Sequence, residues 1–552
     1  MSRGHAYWYL VESRRVHGKP RPVVLAYLGK PDDLLRRLEG LHGALQLHSV
    51  SHGAVAALRT VADELGIVDL INARLPPPTR RRDGLTVGQS LLLIALGRAC
   101  RPTSKRGWAD WAATTSVGPL FGIRPADLTS QHFWDQMQEV PVERLSGIEE
   151  AILQRVVDRY AVSLESVFYD TTNFFTFIAS ENRRPQLPAR GHNKQKRHDL
   201  RQLGLALLVS QPDRIPLLHE LYEGSRPDVT LFPEVLTRLR QRLSALGGVV
   251  DQITLVYDKG NNSRANQARV DQSPFHYVAS LSPASYRDLL AAANRQMEAV
   301  EMPGGEQIPL YRTRQRLWGQ QRTLIVLVSE KLRQGQWRGL AQQMDKARRR
   351  LCELQQELDS PRARRRRRDV LERKVAEAIR GQYLRQVLRV QLKPRSGGRF
   401  RLRFREDRKA MRRLADEFFG RRILMTDCHH WSSQQIVEAY RGQSEAERAF
   451  RDLKDPHHLA VRPSFHWTDQ KLQVHTFCCV LAYLLVKLLE IKARRQTGFA
   501  GSPAGLMEQL SSIRQVAVVE RRQGSGRPRV TTQMEILGPE IRKLAQALGV
   551  VG

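Results

Sequence analysis

Apolar and polar positions change their period several times along this chain, and each change marks a different kind of element. Near the start, Tyr7-Trp8-Tyr9-Leu10-Val11 and Pro22-Val23-Val24-Leu25-Ala26-Tyr27-Leu28 are β-rich runs joined by His17-Gly18-Lys19-Pro20, so residues 6–28 are predicted to form a hairpin. From about 31 to 160 the apolar spacing shifts to three and four, as in Leu34-Leu35-Leu38 and Val87-Leu91-Ile94-Ala95, which predicts helices. Between 162 and 281 short apolar runs at 164–169, 203–209, 217–222, 253–257 and 275–280 read as strands. A helical stretch at about 229–244 separates the third from the fourth. Three strands, a helix and a further strand predict an α/β fold, a mixed sheet flanked by helices.

After Ser280 this core is interrupted. Gln307 to Leu317 and Thr323 to Val328 are strand-like, and residues 333–385 read as two basic helices. Leu340, Met344, Leu351 and Leu354 form the apolar seam of the first; Val370, Val375, Ala378 and Ile379 form that of the second. Gln391 to Arg405 carries a Gly397-Gly398 turn between β-like arms, another hairpin. Core-like texture resumes at Ile423-Leu424-Met425-Thr426-Asp427. A helix over 433–454 follows, then an apolar helix over 470–493 suited to covering the sheet, and from about 521 a flexible basic turn. No internal repeat is visible.

Charge adds a partner to this outline. At 552 residues roughly two to four domains are expected. The 89 Lys+Arg against 56 Asp+Glu leave a net charge of +33, whose self-repulsion a polyanion relieves, so nucleic acid is the expected partner. The imbalance concentrates around Arg364-Arg365-Arg366-Arg367-Arg368: residues 331–380 hold 16 basic and 7 acidic side chains. Such a run is either a DNA-backbone contact or a solvated link, and within this charge balance the contact is favoured. Pro102-Thr103-Ser104-Lys105-Arg106 is another group of cations and hydroxyls; Lys105 and Arg106 gripping phosphates and a solvated inter-helix loop fit it equally well. The expected organisation is an N-terminal β-hairpin (1–30), a helical DNA-binding region (31–160) and the first part of a catalytic core (161–281). A basic insertion domain (282–420), the second part of the core (421–495) and a C-terminal region (496–552) complete it.

Other classes are poorly served. Cysteines at 100, 352, 428, 478 and 479 have no disulfide or zinc-knuckle spacing, which points to a reducing, cytoplasmic setting. The opening Met-Ser-Arg-Gly-His leads into polar alternation and not into a secretory apolar core. The run Phe477 to Val486 meets Lys487 and is too short to span a bilayer, so a soluble protein with no membrane partner is expected. No Gly-rich P-loop is present, which argues against an ATP-driven motor. Cys428-His429-His430 and His457-His458 lack paired metal-ligand spacing, and His475 with Cys478 and Cys479 lies on the apolar helix, where core packing is expected.

Three carboxylates carry the chemistry. Asp170 closes the run Val167-Phe168-Tyr169, and Asp258 closes Ile253 to Tyr257. Each follows residues that bury the backbone while the carboxylate emerges at the rim, the placement of a short, stiff metal ligand at a strand end. Either aspartate alone would read as a turn or helix cap. On the later helix, Tyr440, Gln443, Glu447, Arg451 and Lys454 recur at offsets of three and four, one stripe combining an aromatic, an amide, a carboxylate and two cations. A solvated surface helix with a Glu447–Arg451 ion pair is the plainer alternative. Two aspartates and a helix-borne glutamate together suit two divalent ions over a phosphodiester.

Tyr440, Glu447 and Lys454 resemble in spacing the Y-x-x-R-x-x-x-E-x-x-x-x-x-x-K signature of a class of DDE-type insertion-sequence transposases; Gln443 stands where that signature has arginine. Tyr169-Asp170-Thr171-Thr172, Asp258-Lys259-Gly260-Asn261-Asn262-Ser263, Pro102-Thr103-Ser104-Lys105 and Val461-Arg462-Pro463-Ser464-Phe465-His466-Trp467 are similar to stretches of that class. The resemblance spans most of the chain and is strongest over 165–490. It implies an RNase H-like core, and the long gap from Asp258 to Glu447 resembles members with an insertion domain before the glutamate. It implies Asp170, Asp258 and Glu447 as ligands of two Mg²⁺ ions, replaceable by Mn²⁺. Tyr440, Arg451 and Lys454 would hold the transposon-end backbone or a displaced base, with Arg441 or Arg451 taking the place of the missing arginine. The implied reaction is nicking at the terminal inverted repeats of an insertion sequence, then attack of the freed 3′-OH on target DNA. A homodimer in the DNA complex and a prokaryotic, nucleoid-associated cytoplasmic location are implied too. An RNase H-like nuclease or resolvase without strand transfer is the rival enzyme; a non-catalytic, transposase-derived DNA-binding protein is the rival from another class.

Overall fold

The computed structural model describes residues 7–16, 19–30, 45–77, 84–179, 181–193, 195, 197–360, 365–462, 464–520 and 529–551. They fall into two compact units, one made of 1–155, 177–185 and 452–552, the other of 156–176 and 186–451.

The second unit is built on a nine-stranded sheet. Its strands in chain order are β1 Ser166–Phe175, β2 Gln202–Ser210, β3 Pro216–Glu223, β4 Thr254–Tyr257, β5 His276–Leu281, β6 Glu298–Glu301, β7 Gln307–Leu317, β8 Gln320–Val328 and β9 Arg421–Thr426. Across the sheet they run β3-β2-β1-β4-β5-β9-β8-β7-β6. β1, β4 and β5 are mutually parallel and every other neighbouring pair is antiparallel. All nine positions of β2 are buried, as the continuous apolar run Leu203–Val209 requires of a strand covered on both faces. The expected order of three strands, a helix, and a strand ending in a carboxylate is present, the three strands being antiparallel, and the α/β class holds.

Helices cover both faces. α1, Asp228–Ala245, turns Leu231, Phe232, Val235, Leu239 and Leu243 inward at a helical period. Phe232 packs between Tyr169 of β1 at 5.2 Å and Tyr257 of β4 at 5.1 Å, ring centre to ring centre. α2, Arg264–Asp271, is held to β4 by the Tyr257 hydroxyl, which donates to Gln267 Oε1 at 2.6 Å. α3, Ser433–Arg441, opens on a capping box between Ser432 and Gln435 and packs on β4, β5 and β9. α4, Gln443–Asp452, follows after the single residue Gly442.

The expected insertion over 282–420 divides differently. Its early strands are β6, β7 and β8, and they extend the main sheet because β8 pairs with β9 from Thr323↔Thr426 to Val328↔Arg421. The remainder gathers a separate apolar cluster: Leu340, Met344, Leu351 and Leu354 of helix Glu330–Asp359 meet Leu371, Leu384, Leu402, Leu414 and Phe419. On helix Arg368–Ala378 the buried positions are Leu371 and Ala378, with Val375 partly buried, so the seam runs one residue later than Val370. The hairpin is Leu388–Arg395 with Arg399–Glu406, turned by Gly398 at φ 70°.

In the first unit, Trp8–Val16 and Lys19–Gly29 form the expected antiparallel hairpin; its turn residues His17 and Gly18, Leu34 to Leu38 and most of the basic stretch from 521 lie outside the described residues. Leu45–Ser51, expected within a helical region, is a strand paired with Arg514–Glu520, which pairs in turn with Arg529–Met534. The apolar helix expected over 470–493 is present and passes through Lys487. It runs from Asp469 to Thr497, long and apolar enough to cross a membrane, yet its apolar window is 100% buried inside the protein. Lys487 fits there because Glu490 pairs with it, both almost fully buried. This is a core helix.

Candidate active site

Strand register brings the two aspartates together. Tyr169 lies opposite Tyr257 in the parallel β1–β4 ladder, so Asp170 and Asp258, each the next residue, leave that ladder side by side. Asp170 is not at the end of its strand: β1 continues to Phe175, paired with β2, while the β4 pairing stops at Tyr169. Alternation puts Asp170 on the face of Phe168, opposite the Tyr169 face that packs on α1. Both carboxylates are half-buried.

One oxygen of each is held by the backbone. Asp170 Oδ1 accepts from its neighbour Thr171 N–H at 2.8 Å, and Asp258 Oδ1 accepts from Gly260 N–H at 2.6 Å. The Asp258-Lys259-Gly260-Asn261-Asn262-Ser263 stretch is the frame of that second contact. Asn262 Nδ2 donates to Ser280 O on β5 at 3.1 Å, Asn266 Nδ2 donates to Asn261 O at 2.8 Å, and Ser263 Oγ caps α2. A Cβ at Gly260 would lie 2.9 Å from Asp258 Oδ1, closer than a side chain tolerates.

The glutamate arrives on the other layer. Helix 433–454 is expected as one element, but it breaks at Gly442, where the Phe168 ring fills the space a side chain would need. Tyr440, just before the break, is buried and lies under Arg422, whose guanidinium carbon is 5.6 Å from the ring centre. Burial pushes its phenol's pKa up; a hydrogen bond with Ser280 and the Arg422 charge pull it down, and the carboxylates of Asp258 and Glu447 push it up. One phenol therefore lies within electrostatic reach of both carboxylates. Glu445 is engaged elsewhere, with Arg214 at 3.2 Å and Arg448 at 2.8 Å. Two residues on, about 200° around the helix, Glu447 is exposed.

The donors present, three carboxylates, are the hard oxygen ligands that Mg²⁺ and Mn²⁺ take. Among the described residues, the only three His, Cys, Asp or Glu side chains with ligand atoms all within 4.8 Å of one another are His276, Asp427 and Cys428. Asp170, Asp258 and Glu447 do not form such a tight group.

The remaining candidates are scattered. Gln443, where the signature has arginine, is buried. Arg441 is exposed and pairs with Glu306 at 2.8 Å, Arg451 is exposed, and Lys454 is half-buried beyond the end of α4. Lys105 is not on the surface: its Nζ is 2.6 Å from His466 Nε2, between the faces of Trp108 and Trp134. The two stretches Pro102–Lys105 and Val461–Trp467 are thus joined in the first unit, and Arg98 donates to Ala460 O and Arg462 O beside them. Arg106 is exposed. Of the arginine run, Arg364 lies outside the described residues and Arg365 is exposed. Arg366 pairs with Glu357, Arg367 with Asp369 at 3.2 Å and Arg368 with Glu372 at 2.8 Å. Phe168 and Gly442 were not expected at the site; a glycine inside a helical pattern was the available signal.

No family model and no curated protein matches the chain. Among solved structures it is similar to the piggyBac transposase synaptic complex with hairpin DNA, at 8% identity and a TM-score of 0.39, over 82% of this chain and 79% of that one. It is also similar to the Mos1 transposase paired-end complex with left transposon end, at 12% identity and a TM-score of 0.16, over 39% and 64%. A pre-cleavage Mos1 transpososome gives 10% identity and 0.16, over 40% and 68%. Overlaps this loose define no shared site.

Proposed function

We propose that this chain is a DDE-type DNA transposase of the insertion-sequence class, with Asp170, Asp258 and Glu447 as its metal ligands. The observation that carries this reading is the parallel register at Tyr169↔Tyr257, which sets two carboxylates side by side under a helix pair whose Tyr440 feels both Asp258 and Glu447. Two Mg²⁺ ions held there supply activation of a water or 3′-OH oxygen and neutralise charge on the leaving oxygen; Mn²⁺ offers the same chemistry. The chain's own part is positional. The Gly260 and Thr171 N–H groups each fix one aspartate oxygen and so orient the carboxylate. Tyr440 stiffens the glutamate side, Arg451 and Lys454 hold DNA backbone, and the cations at Arg106 and Arg365 to Arg368 add electrostatic attraction. A net charge of +33 makes a polyanionic substrate the natural one. Terminal inverted repeats and target DNA as substrates, and a homodimer pairing two ends, belong to the same proposal.

The test uses DNA segments that flank the coding sequence, with Mg²⁺, and a plasmid as target. Cleavage and joining of a precut end to the plasmid are expected, with both lost in Asp258→Ala while gel-shift binding persists. Cleavage without joining would move the assignment to a nuclease or resolvase; unchanged cleavage in Asp258→Ala would overturn the site.

A further inference from the structure

The opposite end of the sheet's central strands carries a second cluster. His276 opens β5 beside Thr254, the first residue of β4, so it lies at the far end of the parallel strands from Asp258. β9 runs antiparallel to β5, which brings the residues after its end, Asp427 and Cys428, to the same place. His276 Nδ1 is 2.9 Å from Asp427 Oδ2, Cys428 Sγ is 3.9 Å from Asp427 Oδ1, and ligand atoms of all three fall within 4.8 Å of one another. The thiol is buried while the imidazole and carboxylate are half-exposed, so the group is open to solvent on one side.

We propose that His276, Asp427 and Cys428 form a site for one zinc-type divalent cation. Imidazole, carboxylate and thiolate are the donors zinc takes, and tetrahedral ligands at about 2.0–2.3 Å sit roughly 3.3–3.8 Å from one another. The His276–Asp427 contact at 2.9 Å to Oδ2 is closer than that and the Cys428–Asp427 contact at 3.9 Å to Oδ1 is near its upper end, so an entering ion would replace the hydrogen bond between imidazole and carboxylate. Binding releases the thiol proton to solvent as the sulfur–metal bond forms, and one carboxylate with one thiolate balances the ion's two charges. A thiolate ligand selects against Mg²⁺, so this site and the all-oxygen trio would take different metals. Its place gives it a role. β9 is the strand by which the chain returns from the 330–419 excursion, and Asp427 and Cys428 lead within five residues to α3, which bears Tyr440. A cation here ties that root to β5.

The plainer account is a hydrogen-bonded turn, since Asp427 Oδ1 also accepts from Tyr277 N–H at 3.0 Å. The test separates the two. Full-length Asp258→Ala protein, which weakens the other candidate site, is stripped with a chelator and titrated with Co²⁺ while near-ultraviolet and visible absorption are recorded. A thiolate-to-cobalt charge-transfer band is expected to saturate at about one ion per chain. Zn²⁺ should displace it, Mg²⁺ should not, and both Cys428→Ser and His276→Ala should abolish or greatly weaken it. Circular dichroism of the metal-free variants controls for folding, and either variant suffices if the other fails to fold. No band in the parent protein, or a band undiminished in Cys428→Ser, would overturn the site.

Discussion

Phe168 of β1 occupies the space that a side chain at Gly442 would need, so the break between α3 and α4 rests directly on the strand that carries Asp170. Gly442→Ala should push the aromatic ring or the helix pair outward at a cost of about 1–3 kcal/mol. Because α4 carries Glu447, the cleavage rate should fall by about tenfold or more even where the variant is fully folded. Thermal unfolding together with single-turnover cleavage checks both parts. Pairing the change with Phe168→Leu, which makes room, should recover much of the loss; no recovery would sink the contact as the cause.

Glu445 and Glu447 divide structure from chemistry. Glu445, partly buried, is held between Arg214 and Arg448, so Glu445→Gln should cost stability of about 1 kcal/mol and leave cleavage near the parent rate. Exposed Glu447 has no comparable structural duty; Glu447→Gln should leave the unfolding midpoint unmoved and reduce Mg²⁺-dependent cleavage by about two orders of magnitude. A reversed pattern in urea titrations and cleavage assays would assign the metal to the wrong glutamate.

The placement of Asp170 and Asp258 after buried strand residues was legible because its signals are local: an apolar run followed by Asp, and at Asp258 the turn residues that hold it. The seam of Leu340, Met344, Leu351 and Leu354 was legible for the same reason, being written in one helical period. What escaped depends on partners distant in sequence. The need for glycine at 442 comes from Phe168, the membership of β6 to β8 in the main sheet needs β9, and the strand at Leu45–Ser51 needs Arg514–Glu520. Lys105 looked like a surface cation because its burial is imposed by Trp108, Trp134 and His466, only the first of them a near neighbour in the chain.

The arginine run now has a more specific expectation than simple attraction. Arg366, Arg367 and Arg368 already face Glu357, Asp369 and Glu372, so each phosphate contact displaces an acid as well as counterions. Surface pairs of this kind are weak enough to exchange. Replacing Arg364 to Arg368 with Gln should lower the slope of log K against log salt by about 1–3, less than the roughly 4.5 that five independent contacts would give. Fluorescence anisotropy on duplex DNA across a salt series measures it. An unchanged slope would mean the run only solvates a link between helices.

Lys105 sets a pH dependence whose sign can be worked out. Burial first, and the Arg98 charge second, bring its ammonium pKa down from 10.5 to about 7. The unfolded chain therefore binds more protons at this residue between about pH 7 and 10.5, and stability rises with pH across that window. Below about pH 7 the folded protein carries the full penalty of the buried charge. Lys105→Met removes the titration while keeping most of the packing against Trp108 and Trp134. The stability of the parent minus that of the variant should climb by about 1 kcal/mol per pH unit from about pH 7 to 9, near the limit of about 1.4 for one proton. His466 does not add a titration of its own, because burial keeps that imidazole's pKa well below 6.5 and hence neutral throughout the range in both proteins. Urea unfolding followed by tryptophan fluorescence at successive pH values provides the measurement. A difference that stays flat would place the Lys105 charge in a far more polar setting than the aromatic enclosure around it provides.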